Sequence, residues 1–200
     1  PLGIAVCIFL SQKRKSAWGF WIRIASEVLQ GVPSIVIGVI AYVWVVMPMK
    51  HFSTVAGGIA LAIMMLPIII RSTEETLALV PNTLKEASLA LGVPYYRTIL
   101  YVVVPTGLRG VVTGIMLGIS RIAGETAPLL FTAFGNPFMN LNPLKPVMSL
   151  PLIIFNYATS PYDDWQRIAW GSSLVLITFI LVLNIFSKVV IRHDSFRNTD

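Results

Sequence analysis

The sequence predicts an all-α protein, a polytopic bundle of helices that spans a membrane. Three observations carry that expectation. The first is composition: of 200 residues, 56% are apolar and only 12% are charged, with a mean hydropathy of +0.77. A soluble domain carries about a quarter charged residues, so this chain does not read as water-soluble. The second is a set of charge-free runs, Val28–Met49, His51–Ile70 and Ile168–Ser187, of 22, 20 and 20 residues. About 20 apolar residues cross the hydrocarbon core as a helix. The third is the placement of basic residues. Alternate connections hold eleven Lys and Arg on one side and three on the other, with Arg121 left inside a span. The basic side is cytoplasmic by the positive-inside rule. The net charge of +6 is then a topology signal. A nucleic-acid partner is not expected, because no basic face interleaved with aromatics is present.

Taken in order, spans are expected near residues 1–10, 28–49, 51–70, 106–134 and 168–188 of a single transmembrane domain covering 1–200. Pro1–Leu10 is apolar but only ten residues long, and reads as the tail of a helix whose start is missing from a chain trimmed at its N-terminus. No signal peptide is visible. Cys7 is the single cysteine, which gives neither a disulfide framework nor metal spacing. Residues 73–105 are expected as a cytoplasmic loop and 135–167 as an extracytoplasmic one. Within the latter, "NPFMNLNPLKPVMSLPLIIFNYATSP" is too interrupted by Pro and Asn to span, and a short interfacial helix is expected near Val147–Tyr157. Asp163 and Asp164 near that surface read as solvated. His51 and His193 stand apart from Cys and from carboxylates at metal spacing, so ordinary interfacial or solvated roles are expected.

The cytoplasmic loop contains "PNTLKEASLALGVPYYRTILYVVVP". Thr83 and Glu86 have the spacing of a capping box, which satisfies orphan amides at a helix start. Gly92 is a natural helix stop and Pro94 prevents continuation. The spacing predicts a helix of about two turns over Leu84–Leu91, marginal on its own in water. Its apolar residues, Leu84, Ala87, Leu89 and Leu91, suit either an interfacial connector on lipid headgroups or a helix docked on a partner.

The stretch "ISRIAGETAPLLF" places Arg121 and Glu125 inside an apolar run. At 100° per residue, a continuous helix would put Gly110, Gly114, Gly118, Arg121 and Glu125 on one narrow face. Glycine at that spacing admits a neighbouring helix closely. Arg121 and Glu125 would be i, i+4 neighbours able to pair. Counted from Thr106 at the rise of a helix, Arg121 lies about 22 Å along the span, past its midpoint. Such charges either lock two helices or mark a substrate path. An arginine fork suits an oxyanion. Gly124 and Pro128 would either loosen the helix beside a cavity or make an ordinary kink.

Two segments carry a family resemblance. The cytoplasmic loop is similar to the signature loop of ABC-importer permeases, E-A-A-x3-G-x9-I-x-L-P. Here Glu86-Ala87-Ser88, Gly92 and Val102-Val103-Val104-Pro105 stand at the same spacing, with Ser for the second Ala and Val for Ile and Leu. Arg121 with Gly124-Glu125-Thr126-Ala127-Pro128 resembles the R-x-x-G-E-T-A-P segment of phosphate-specific permeases of the PstA type. Leu66-Pro67, Arg71, Thr73, Glu74 and Glu75 match a second segment of that family, and Gly31–Gly38 ("GVPSIVIG") more weakly a third. The resemblance runs from the first residue to about Lys188.

That resemblance implies a type I ABC-importer permease fold with six spanning helices, of which the first is missing here. It implies a permease subunit moving inorganic phosphate across a bacterial cytoplasmic (inner) membrane by alternating access. Sulfate or molybdate remains the alternative substrate, and an ion-coupled secondary transporter the more distant one. Arg121, Glu125, Thr126 and Arg71 would line the substrate path. Glu86, Ala87, Gly92, Leu84 and Leu91 would couple to the ATPase. Implied partners are a second related permease, an ATPase dimer, a periplasmic phosphate-binding protein and membrane lipid. In that scheme the extracytoplasmic loop would face the binding protein, where plain packing on the membrane surface is the other reading. ATP and Mg would be used by the ATPases, since this chain has no G-x4-G-K-[ST] loop. A membrane-embedded hydrolase is not expected, because no nucleophile–base set or H-E-x-x-H motif is present. Inverted repeats, which would favour a secondary transporter, are not evident.

Overall fold

The computed structural model describes residues 2–12 and 16–192, and these are helical throughout their ordered elements, with no strand among them. The helices are α1 (Leu2–Gln12), α2 (Ala17–Gly31), α3 (Ser34–Ala41), α4 (Met47–Met49), α5 (Thr54–Ala78), α6 (Asn82–Ala90), α7 (Tyr95–Thr98), α8 (Val104–Ile122), α9 (Ala127–Thr132), α10 (Leu150–Ala158) and α11 (Asp163–Arg192). Two π-helical turns, Tyr42–Val46 and Ile99–Val103, join α3 to α4 and α7 to α8. Both precede a proline by two residues, Pro48 and Pro105. A proline inside a helix lacks an amide, and its ring clashes with the carbonyl four residues back. Each turn widens accordingly: the amide of Met47 donates to Tyr42 O, and that of Val104 to Ile99 O, five residues back in both cases.

Two helices, Thr54–Ala78 and Asp163–Val189, are individually long and apolar enough to cross a membrane. The pair Ala17–Gly31 and Ser34–Met49 passes the same test together, bent by 102°. The span expected over 28–49 is therefore not one helix. It breaks at Pro33, whose missing amide suits a helix start but not a helix interior. The span expected over 106–134 also breaks, because α8 ends at Ile122 and α9 begins at Ala127. The helix expected near Val147–Tyr157 is α10, starting at Leu150 with Pro151 in its first turn.

The chain divides into two compact units. One draws on Pro1–Gln30, Leu66–Gly118 and Ile185–Asp200. Its apolar contacts centre on Leu10 and Ile70, and on Leu77, Val80, Ile99 and Val103. Here α8 lies against α5 across glycines: a Cβ on Gly107 would collide with Leu77, on Gly110 with Thr76 and on Gly114 with Ser72. The close approach expected from the glycine spacing is present, with hydroxyl side chains of α5 filling the space. In the same unit α6 starts at Asn82, with Pro81 as its N-cap and no side-chain cap bond. The expected capping box of Thr83 and Glu86 does not form, because the helix starts two residues too early for Thr83 to cap it. The stop is as expected. Gly92 has φ +78°, its amide donates to Leu89 O at 2.9 Å, and the Val93 amide reaches Ser88 O at 3.3 Å, a Schellman closure.

The other unit draws on Gly31–Met65 and Ile119–Asn184, around Leu129, Ala133 and Leu152. Its organising feature is the start of α5. The Thr54 amide donates to Lys145 O at 3.0 Å, the Val55 amide to Pro143 O at 3.1 Å and the Ala56 amide to the Ser53 hydroxyl at 3.1 Å. These are the orphan donors of a helix start, and Ser53 acts as the N-cap. The Pro- and Asn-rich segment is thus tied to a helix start rather than loose. At the start of α11, Asp163 and Asp164 occupy the first turn, exposed and favourably placed against the helix dipole. His51 is also exposed, and His193 lies outside the described residues.

A Cβ on Gly38 of α3 would stand 2.8 Å from the Pro128 Cα of α9, whereas one on Gly58 would meet nothing within 4 Å. Gly38→Ala is expected to destabilise the folded protein by about 1–3 kcal/mol through overpacking against backbone. Gly58→Ala is expected to be neutral or mildly stabilising. Thermal unfolding of the two purified variants in detergent checks the contrast; equal melting shifts would contradict the α3–α9 contact.

Candidate functional site

The first candidate is a cavity of about 300 Å³ between α2 and α5. On α2, Arg23, Glu27 and Gln30 share one face at helical spacing. On α5, Arg71, Glu74 and Glu75 follow Pro67 and Ile70, which also line the cavity. The charges form two distinct arrangements. The Arg23 guanidinium binds Glu74 Oε1 at 2.6 Å and 2.7 Å, with side chains only 29% and 16% exposed. Arg23 also reaches the last turn of α1, at Leu10 O, 3.5 Å away. Arg71 is open by comparison. Its Nε donates to Glu75 at 2.8 Å and its Nη1 to Glu27 at 3.1 Å, and all three side chains are more than half exposed. Arg71 is therefore held by two carboxylates at the mouth of a cavity. α5 runs on past Arg71 to Ala78, so the first residues of the loop expected over 73–105 are helical and Arg71 sits on a regular backbone.

Arg23, Glu27 and Gln30 are not among the site residues that the sequence points to. Their signal is nevertheless there: Arg23–Glu27 and Arg71–Glu75 are both i, i+4 pairs of opposite charge on largely apolar helices. What the sequence lacks is the cross-pairing, since Arg23 and Glu74 are 51 residues apart.

The second candidate is the break after α8. Arg121 lies in the last turn of α8 and is exposed. Beyond it the helix tightens: the amides of Gly124 and Glu125 donate only three residues back, to Arg121 O and Ile122 O. Glu125 then stands outside the helix, and Thr126 is the N-cap residue of α9 without a side-chain cap bond. The expectation that Arg121 and Glu125 share a helical face and pair is corrected here, and among the described residues no ion pair joins them. The chain leaves one helix after Ile122 and begins another at Ala127, with Pro128 at the start of α9, where its missing amide is harmless.

The third candidate is the exposed helix α6. Glu86 and Ala87 face outward, and Leu84, Leu89 and Leu91 are 42%, 41% and 84% exposed. The helix is held from behind by a buried hydrogen bond of 2.9 Å between the Ser88 and Thr98 hydroxyls. It presents leucines on a two-turn helix fixed at both ends, by the Gly92 stop and the Pro81 start.

Comparison with known proteins adds to this geometry. Residues 3–197 match the family model described as "Binding-protein-dependent transport system inner membrane component". The chain is 44% identical to the phosphate transport system permease protein PstA of Yersinia pestis, over 95% of the chain and 65% of that protein. It is 39% identical to the PstA of Haemophilus influenzae and 40% identical to that of Xylella fastidiosa, over 96% and 99% of the chain and 69% and 70% of those proteins. The chain thus spans about two thirds of the length of the curated relatives it matches. Its fold is similar to a chain in a structure of the MetNI methionine ABC transporter, with a TM-score of 0.79 at 18% identity, covering 96% of this chain and 85% of that one.

The Arg23–Glu74 pair is partly buried and bridges helices, whereas the Arg71–Glu75 pair is exposed and local. A double-mutant cycle to Ala is expected to give a coupling of about 1.5–3 kcal/mol for Arg23 and Glu74. The cycle for Arg71 and Glu75 is expected to give the smaller coupling of the two. Unfolding in detergent followed by tryptophan fluorescence measures both, and the reverse order would contradict the assignment.

Proposed function

Because the chain belongs to the binding-protein-dependent transport system inner membrane component family, we propose that it is a permease subunit of an ATP-driven importer of inorganic phosphate. One observation carries the substrate: identities of 39% to 44% with phosphate transport permeases, sustained over at least 95% of the chain. Those relatives favour phosphate over sulfate or molybdate, and membership of a binding-protein-dependent family sets an ion-coupled secondary transporter aside. The protein works as a multi-pass component of the bacterial cytoplasmic (inner) membrane.

In this reading the chain hydrolyses no ATP itself. ATP and Mg are handled by a pair of ATPase subunits that dock from the cytoplasm, a second related permease completes the membrane pathway, and a periplasmic binding protein delivers phosphate. The surface that fits the ATPase is α6. Its outward leucines and Ala87 are apolar area that a partner groove would cover, with the Glu86 carboxylate beside them, and its fixed ends let it move as a rigid lever. Arg121, Glu125 and Thr126 contribute to the substrate path, where the broken helix provides backbone groups and a guanidinium. Arg71, beside its cavity, contributes a second station. Closure of the ATPases, relayed through α6, drives alternating access.

Two outcomes are expected. Arg121→Ala removes a charge-assisted donor set and should lower phosphate uptake by about tenfold or more, with the subunit still assembling, while Glu125→Gln should impair it less. Radiolabelled phosphate uptake in proteoliposomes reads this, and unchanged uptake by Arg121→Ala at normal expression would sink the path assignment. Gly92→Val forces a β-branched residue into a left-handed conformation and should unseat the end of α6. It should uncouple ATP hydrolysis from uptake or release the ATPase on purification; intact copurification with full uptake would refute the coupling role.

A further inference from the structure

The cavity between α2 and α5 carries a charge balance that is wrong for a bare anion. Its ionisable groups are Arg23, Glu27, Arg71, Glu74 and Glu75, two positive and three negative. Arg23 and Glu74 neutralise one another in the less exposed half. What an entering solute meets is Arg71 with Glu27 and Glu75, a single cation flanked by two carboxylates. An oxyanion with no proton would be drawn by one group and repelled by two.

The hydrogen-bonding capacity of the same wall is mixed in kind. Arg71 commits two of its five N–H donors, Nε to Glu75 and one on Nη1 to Glu27, and so retains three. The Gln30 amide lines the same cavity and adds both a donor and an acceptor. Each carboxylate has a second oxygen, and an ionised carboxylate only accepts. The wall therefore matches a ligand that accepts from a guanidinium and at the same time donates to a carboxylate. Among tetrahedral oxyanions, that is one still carrying an acidic proton near neutral pH. Inorganic phosphate keeps one or two protons there; sulfate keeps none.

We infer that Glu27 and Glu75 make this cavity a proton-reading oxyanion site, which admits phosphate by accepting hydrogen bonds from its P–OH groups and rejects fully deprotonated oxyanions by repulsion. This deepens the proposed function and rests on it. Arg71 supplies the attraction and the two carboxylates supply the discrimination, so the permease adds a selection of its own within the path. The charged groups that face Arg71 from the described residues of α2 and α5 are those named above. Lys13, Arg14 and Lys15, between α1 and α2, lie outside the described residues.

The test uses the assembled transporter in proteoliposomes, with ATP in the lumen and phosphate delivered outside by the binding protein, so that the binding protein's own selectivity does not enter. Sulfate is loaded with the ATP, on the side that carries α6. Phosphate uptake by the wild type is expected to be indifferent to lumenal sulfate. In Glu27→Gln and Glu75→Gln, which keep side-chain size, each lost charge removes repulsion, and lumenal sulfate is expected to inhibit at concentrations about tenfold or more below any effect on the wild type. Equal sensitivity of wild type and both variants, at any level, overturns the inference. If a variant transports too little to read, radiolabelled sulfate binding by the purified complex of permeases and ATPases replaces uptake. Binding by the variant and not by the wild type supports the inference, and equal binding overturns it. A wild-type complex that imports no phosphate refutes the proposed function itself, which separates that failure from this one.

Discussion

Backbone hydrogen bonding in an apolar medium is the constraint on which the rest of the structure depends. Hydrocarbon offers no partner for a free amide or carbonyl, so each spanning segment must be helical and each interruption must find its bonds within the protein. The start of α5 meets this demand with two loop carbonyls and one serine hydroxyl. The Pro- and Asn-rich segment before α10 is held in place by the same bonds, which gives an irregular loop a defined path. Ahead of Pro48 and Pro105 the turn widens to a five-residue bond, and the ladder resumes. Where proline cannot be absorbed, as before Ser34, the chain turns by 102° and begins again.

Helices that satisfy themselves still need a reason to associate, and in lipid the hydrophobic effect supplies little of it. Close packing takes over, and glycine sets how close. In one unit, Gly107, Gly110 and Gly114 bring α8 onto Leu77, Thr76 and Ser72 of α5. In the other, Gly38 lets α3 meet the backbone of α9 at Pro128. Arg23 and Glu74, bonded at short range and partly shielded, join α2 to the same stretch of α5. With one arginine committed there, Arg71 is the charge left at the mouth of the cavity, held by two exposed carboxylates. The shielded and the open arginine stand 48 positions apart on two different helices.

The sites were legible to different degrees. Gly92 announces the end of α6 from its own identity, and the observed φ of +78° is what a glycine stop requires. The glycine face of α8 follows from spacing along one helix. The capping box at Thr83 and Glu86 has the right spacing, yet the helix begins at Asn82, because Pro81 is itself well suited to precede a helix start. The pairing of Arg121 with Glu125 fails for a related reason: an i, i+4 relation holds only while the helix continues, and this one ends at Ile122.

By itself the sequence determined the helical class, the apolar segments and the glycine stop of α6. Each of these depends on a residue and its near neighbours along the chain, through hydropathy, backbone freedom or helical period. Only the tertiary structure decided which carboxylate belongs to which arginine, and that Glu27 and Gln30 share a cavity with Arg71. The bond between Arg23 and Glu74 joins residues 51 apart, and the carboxylate of Glu27 reaches Arg71 across 44. No local rule ranks Glu27, Glu74 and Glu75 as partners for two arginines, because that choice is made by the distance between helices after they pack.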